Sequence, residues 1–105
     1  MRVLLDECFP WTVGRCIEGH VVRRVEDEGW KGRKNGALLR AAVERFDVLL
    51  TTDTNLEHQQ QIPSSLAVVC VDAGSNRVQV LMPLVPQIQT AISSAPPGRV
   101  TTIRP

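Results

Sequence analysis

Asp47-Val48-Leu49-Leu50-Thr51-Thr52-Asp53-Thr54-Asn55 is the stretch that decides the fold. Val48-Leu49-Leu50 is an apolar run with no polar alternation before Thr51, the pattern of a strand buried on both faces of a parallel sheet. Asp53 stands just past the end of that run. Thr54-Asn55-Leu56-Glu57 has capping-box spacing, so a helix is expected at once, over Asn55–Gln61. The element is a strand, an acidic tip and a helix.

The N-terminus repeats it. Arg2-Val3-Leu4-Leu5 is a second buried run, and it ends in Asp6-Glu7. Cys8-Phe9-Pro10 turns into a short helix expected over Trp11–Ile17 and stopped by Gly19. His20–Val25 reads as a more polar strand near a sheet edge, and Glu26–Lys34 as a charged loop. Asn35 suits a helix cap, and Leu38, Leu39, Ala42, Val43 and Phe46 recur at the helical period, predicting a helix to about Arg45. Beyond the central strand, Pro63-Ser64-Ser65 predicts a turn and Leu66–Val71 a fourth buried strand ending in Asp72. Leu81, Leu84, Val85, Ile88, Ala91 and Ile92 mark one helical face, with Pro83 and Pro86 allowed only in a first turn or at a kink. Arg99–Ile103 predicts a last strand.

Alternating strands and helices imply right-handed βαβ units and an α/β fold: a three-layer sandwich around a small, mainly parallel sheet, in a single domain spanning residues 1–105. Parallel geometry puts every strand-to-helix loop on one edge of the sheet. Asp6, Glu7, the Trp30–Asn35 loop, Asp53, Asn55 and Asp72 are therefore expected together, where open parallel sheets bind ligands.

Composition narrows the classes. The chain of 105 residues carries 43% hydrophobic and 22% charged residues, ordinary for a globular domain. A net charge of +1 supplies no global field for a polyanion, so nucleic-acid binding has to use a local patch. No run reaches membrane-spanning length, which points to a cytoplasmic protein without membrane contact. Cys8, Cys16 and Cys70 are odd in number and lack C-x-x-C spacing, as expected of reduced thiols, two of them in the core.

Converging carboxylates repel one another unless a cation intervenes. Mg²⁺ or Mn²⁺ takes one or two carboxylates and keeps several waters, which suits Asp6 and Asp53 as metal ligands, with Asn35 and Asn55 adding neutral oxygens or holding water. The bland alternative is that acids at strand ends cap helices or pair with Arg and Lys. Glu7 fits the site less well, because adjacent residues leave a strand in opposite directions, and a turn accounts for Asp72. Trp30, Lys31, Arg33 and Lys34 offer one aromatic ring for base stacking and three cations for phosphates. A solvated turn with Trp30 folded onto the core explains the same residues.

These residues resemble a known family. Met-Arg-Val-Leu-Leu-Asp-Glu-Cys-Phe-Pro at the N-terminus, Gly19-His20-Val21-Val22, Gly29-Trp30, Asn35-Gly36-Ala37-Leu38-Leu39 and Leu50-Thr51-Thr52-Asp53-Thr54-Asn55-Leu56 are similar to bacterial PIN-like proteins, minimal relatives of PIN-domain ribonucleases. The resemblance covers most of the chain and weakens after about Gln61. It implies Mg²⁺- or Mn²⁺-dependent hydrolysis of single-stranded RNA by the toxin of a toxin–antitoxin pair, with a small antitoxin as partner. Asp6 matches the first-strand acid and Asp53 the acid after the central strand. Asn35 and Asn55 stand where many relatives carry acids, which leaves less charge for a second metal.

Two rivals follow. One is an interaction module that keeps the fold without catalysis. The other is a phospho-acceptor receiver domain, which needs a lysine after its last strand, whereas Lys31 and Lys34 are the only lysines. A homodimer is also expected, since Val85 and Ile92 lie beyond a narrow core stripe on the late helix.

Overall fold

The computed structural model describes residues 1–33, 35–56 and 61–105. Its five strands are β1 (Arg2–Leu5), β2 (Val21–Arg24), β3 (Val48–Thr51), β4 (Ala67–Val71) and β5 (Val100–Ile103). They form one all-parallel sheet in the order β2-β1-β3-β4-β5. The helices are α1 (Trp11–Gly14), α2 (Asn35–Ala42), α3 (Val78–Leu81) and α4 (Val85–Ser94). Single 3₁₀ turns occupy Glu26–Glu28 and Met82–Leu84.

Because side chains alternate along a strand, the sheet carries a core on each face. Val3, Leu5, Val48, Leu50, Val69 and Val71 meet α1, α3 and α4 on the first face. Leu4, Leu49 and Val68 meet α2, Trp30, Phe46 and Leu56 on the second. β3 is buried at all four positions, as its unbroken apolar run requires. Each such Leu or Val contributes about 1.5–3 kcal/mol by leaving water. β2 alternates between exposed and half-buried at one edge, as its polar composition predicts.

Several boundaries shift for local reasons. α1 is shorter than expected: the Cys16 and Ile17 amides reach back only three residues, to Val13 and Gly14, so the helix tightens and ends. α2 stops at Ala42, although the Phe46 amide still bonds to the Ala42 carbonyl and brings Phe46 into the core. Pro83 and Pro86 do break the late helical segment, at the 3₁₀ turn and at the first turn of α4. Leu56 is helical and Gln61 is not; the rest of the helix expected over Asn55–Gln61, with the capping role of Glu57, lies outside the described residues, as does Lys34. Of the cysteines only Cys70 is buried, Cys8 being half-buried and Cys16 exposed.

Two expectations need correction. Ile92 is 0% exposed and Val85 is half-buried against the same core, so α4 already packs these side chains inside the monomer. They supply no basis for a homodimer. The crossovers, secondly, are not uniformly right-handed. From β1 to β2 the chain steps one way over the first face, and from β2 to β3 and β3 to β4 it steps the other way over the second. Reversing both direction and face preserves the hand. The β4–β5 connection steps in the same direction as β3–β4 but over the first face, so its hand is opposite. The usual preference belongs to tight strand–helix–strand units, and residues 72–99 form a longer connection. One-turn α1 also covers too little of the first face, and the Leu81, Leu84, Ile88, Ile92 stripe fills the remainder. No described helix of that connection then covers the second face of β4 and β5.

Among the described residues, no helix is long and apolar enough to cross a membrane.

Candidate functional site at the carboxyl edge of the sheet

The winding reverses between β1 and β3, which lie side by side in register through Leu5 and Leu50. Such a switch point leaves a crevice at the carboxyl ends of the two strands, since the following segments diverge to opposite faces. Asp6 follows β1 directly, its amide bonded to the Leu50 carbonyl at 3.0 Å. Asp53 lies two residues past the end of β3.

A side chain that the sequence reading did not single out joins them. Thr51 is 0% exposed. Its hydroxyl donates to Asp6 Oδ2 at 2.8 Å and accepts the Asp53 backbone N–H at 3.0 Å. The Cys8 thiol lies 3.7 Å from the same Asp6 oxygen and 3.6 Å from the Thr51 hydroxyl. Asp6 Oδ1 accepts the Glu7 N–H at 2.8 Å. Asp53 Oδ1 accepts the Asn55 backbone N–H at 2.9 Å, and Oδ2 accepts the Asn35 side-chain N–H at 3.1 Å. Asp53 thus closes a turn over its own backbone, ahead of the capping box expected at Thr54, whose Glu57 lies outside the described residues. The one available signal for Thr51 was a hydroxyl residue ending an otherwise apolar strand, which has to find a partner when buried.

Asp6, Asp53 and Asn35 therefore form one connected group. Asn35 opens α2, and its side-chain N–H donates to Asp53. Asn55 contributes its backbone, and its exposed side chain borders a neighbouring cleft. Glu7 has a partner outside this group. Its Oε1 accepts the Gly32 amide and fastens the basic loop to the tip of β1. Lys31 and Arg33 are exposed in that loop. Trp30 is not available as a stacking platform. It is 8% exposed, meets Phe46 edge to face at 6.0 Å, and carries the Arg33 guanidinium 5.3 Å above its ring. The Glu28 carboxylate, its side chain 2% exposed, holds the start of the loop between Arg23 at 2.7 Å and Arg45 at 3.2 Å.

On the other side of Asp53 lies a polar cleft of about 290 Å³, walled by Asp53, Asn55, Cys70, Asp72, Thr102 and Arg104. Cys70 and Thr102 are register partners, and together with Val100 they lie on the face that the last crossover leaves uncovered. Asp72 meets Arg104 at 3.4 Å.

Each carboxylate oxygen has two lone pairs. Among the described residues, Asp6 Oδ1 and both Asp53 oxygens accept one protein hydrogen bond each, and each oxygen can accept a second. Hard oxygens from two carboxylates are the set that Mg²⁺ or Mn²⁺ accepts while keeping most of its water shell. Among the described residues no group of three His, Cys, Asp or Glu side chains is placed to hold a metal. By their chemistry the two carboxylates suit one hydrated ion.

No protein-family model, curated protein or solved structure gives a significant match to the chain.

Proposed function

We propose that this chain is a metal-dependent ribonuclease acting on single-stranded RNA, with Asp6 and Asp53 as its metal-holding carboxylates. The observation that carries the reading is the buried Thr51 hydroxyl, which ties the two acids together at the switch point of the sheet. A buried hydroxyl has to find partners, and both partners here belong to the two acids: the Asp6 carboxylate and the Asp53 backbone N–H. Mg²⁺ or Mn²⁺ held there supplies an activated water and charge stabilisation at a phosphodiester oxygen. The chain's own contributions are distinct. Asp6 and Asp53 hold the ion, Thr51 and Asn35 orient their oxygens, and exposed Lys31 and Arg33 grip flanking phosphates. The toxin role and the small antitoxin partner rest on the PIN-like resemblance alone.

A second reading has an observation of its own. The Asn35 amide already donates to Asp53, meeting part of the demand for positive charge that a cation would otherwise meet. That favours an interaction module that kept the fold without catalysis. A receiver domain shares the strand order found here, but this chain has Arg104 and no lysine after its last strand.

The test is cleavage of single-stranded RNA with Mn²⁺, against EDTA and Asp53→Asn controls, alongside calorimetric titration of Mn²⁺. Wild type should cleave and Asp53→Asn should not. The variant should still fold, with a metal-free thermal midpoint unchanged or higher: the new amide oxygen can accept the Asn55 N–H, Asn35 can turn its own amide oxygen to the new NH2, and repulsion from Asp6 is relieved. Equal cleavage by both proteins would move the activity elsewhere. No cleavage and no Mn²⁺ binding would give the protein to the interaction-module reading.

A further inference from the structure

The cleft beside Asp53 is a product of topology. A crossover of the same hand as the others would lay a helix over the second face of β4 and β5. The chain passes over the first face instead, and Val100 and Thr102, both half-buried, form the floor of the cleft with Cys70, which is itself buried beneath the Asp53 carbonyl. The floor is polar and apolar by turns, Asp53 and Asn55 form one wall, and Arg104 stands at the rim, one residue past β5. Its volume of about 290 Å³ lies at the low end of small-molecule pockets, a size for one nucleoside.

Arg104 is the only cation bordering the cleft among the described residues. Its side chain is 70% exposed, and its pairing with Asp72 is a single long contact of 3.4 Å. An exposed pair of that kind holds its partners weakly, so a phosphate can take the guanidinium from Asp72 at little cost. A guanidinium also matches phosphate with two parallel N–H donors. Adjacent strands lie about 4.8 Å apart, which sets the tip of β5 roughly 10 Å from that of β3. That separation places Arg104 at a nucleotide neighbouring the one held over Asp53, on the opposite side from Lys31 and Arg33.

We infer that this cleft is a nucleotide subsite for single-stranded RNA, taking the base of a residue next to the cleavage point while Arg104 holds its phosphate. The inference deepens the ribonuclease reading and rests on it for the choice of polymer. The Asp72 and Asp53 carboxylates in the walls face base N–H groups or ribose hydroxyls, the donors a nucleotide can offer them.

The experiment measures binding of a short fluorescein-labelled oligouridylate by anisotropy in EDTA, where metal-dependent cleavage does not interfere. Arg104→Ala should weaken binding and lower the slope of log K against log salt by about 0.7, one phosphate contact on a single strand. The gap from wild type should shrink by about threefold between 50 and 200 mM salt. Arg99→Ala is the matched control: an exposed arginine preceding the same strand, at the opposite edge of the sheet. It should change neither quantity. Thr102→Phe fills the cleft without changing charge and should weaken binding at an unchanged slope. Arg104→Ala and Thr102→Phe variants that bind like Arg99→Ala would overturn the subsite, and if Asp53-dependent cleavage persists they leave the nuclease reading standing. Absence of wild-type binding would also overturn it. Binding that depends on Arg104 and Thr102 without any Mn²⁺-dependent cleavage would support the subsite and overturn catalysis alone.

Discussion

Replacing Thr51 by valine keeps the side-chain shape and deletes one hydroxyl, and the structure fixes what that hydroxyl does. It donates to a carboxylate at 2.8 Å and accepts a backbone N–H at 3.0 Å from a position with no solvent exposure. A hydrogen bond to a charged group contributes about 1.5–3 kcal/mol, and a buried donor left without a partner costs about 1–3 kcal/mol. Asp6 is half-buried and can turn to water, so the Asp53 N–H carries most of the second cost. The added methyl recovers about 1 kcal/mol of apolar burial. Thr51→Val should therefore lose about 1.5–5 kcal/mol. Thr51→Ser keeps the hydroxyl and drops one methyl, a loss of about 0.5–1.5 kcal/mol. Urea unfolding followed by circular dichroism reads both, provided the slope against urea stays constant. The order of the two variants is decisive. If burial alone set the stability of this site, valine would match or exceed wild type and serine would be the weaker protein. That result would refute a structural role for the hydroxyl and remove its claim to align Asp6 with Asp53.

Two further outcomes follow from other parts of the fold. A Cβ on Gly14 would land on Leu5 Cδ1 in the first-face core, so Gly14→Ala should destabilise by about 1–3 kcal/mol of overpacking, less up to about 1 kcal/mol of helix propensity gained. Leu5→Val should restore part of that loss, as coupled neighbours do, and additive losses in the double variant would contradict the contact. On the surface, the hydrogen bond from the Arg24 guanidinium holds the Asp27 carboxyl down at about 2, with the Arg24 backbone N–H adding to it. A carboxyl depressed in the folded state stabilises the fold above its ordinary value near 3.8, and that contribution is lost as pH falls through about 2. An NMR titration should give a midpoint near 2 for Asp27 and return it towards the ordinary value in Arg24→Ala; an unchanged midpoint would mean a different cause.

Much of the site's placement was legible in the sequence because strand identity is a local property. Val3-Leu4-Leu5 and Val48-Leu49-Leu50 declare two doubly buried strands, and parallel pairing then delivers Asp6 and Asp53 to one edge without any motif. The helix-breaking prolines and the polar edge strand were readable for the same reason. Strand neighbours and crossover hands are set by which apolar stripe covers which face, a competition across the whole chain. Only the tertiary structure made β1 and β3 adjacent, turned Trp30 inward beneath Arg33, and gave Thr51 its two partners. It also decided the cleft. The α3–α4 stripe completes the face that one-turn α1 leaves open, and among the described residues no helix of that connection covers the opposite face, where Thr102 lines the cleft beside Asp53.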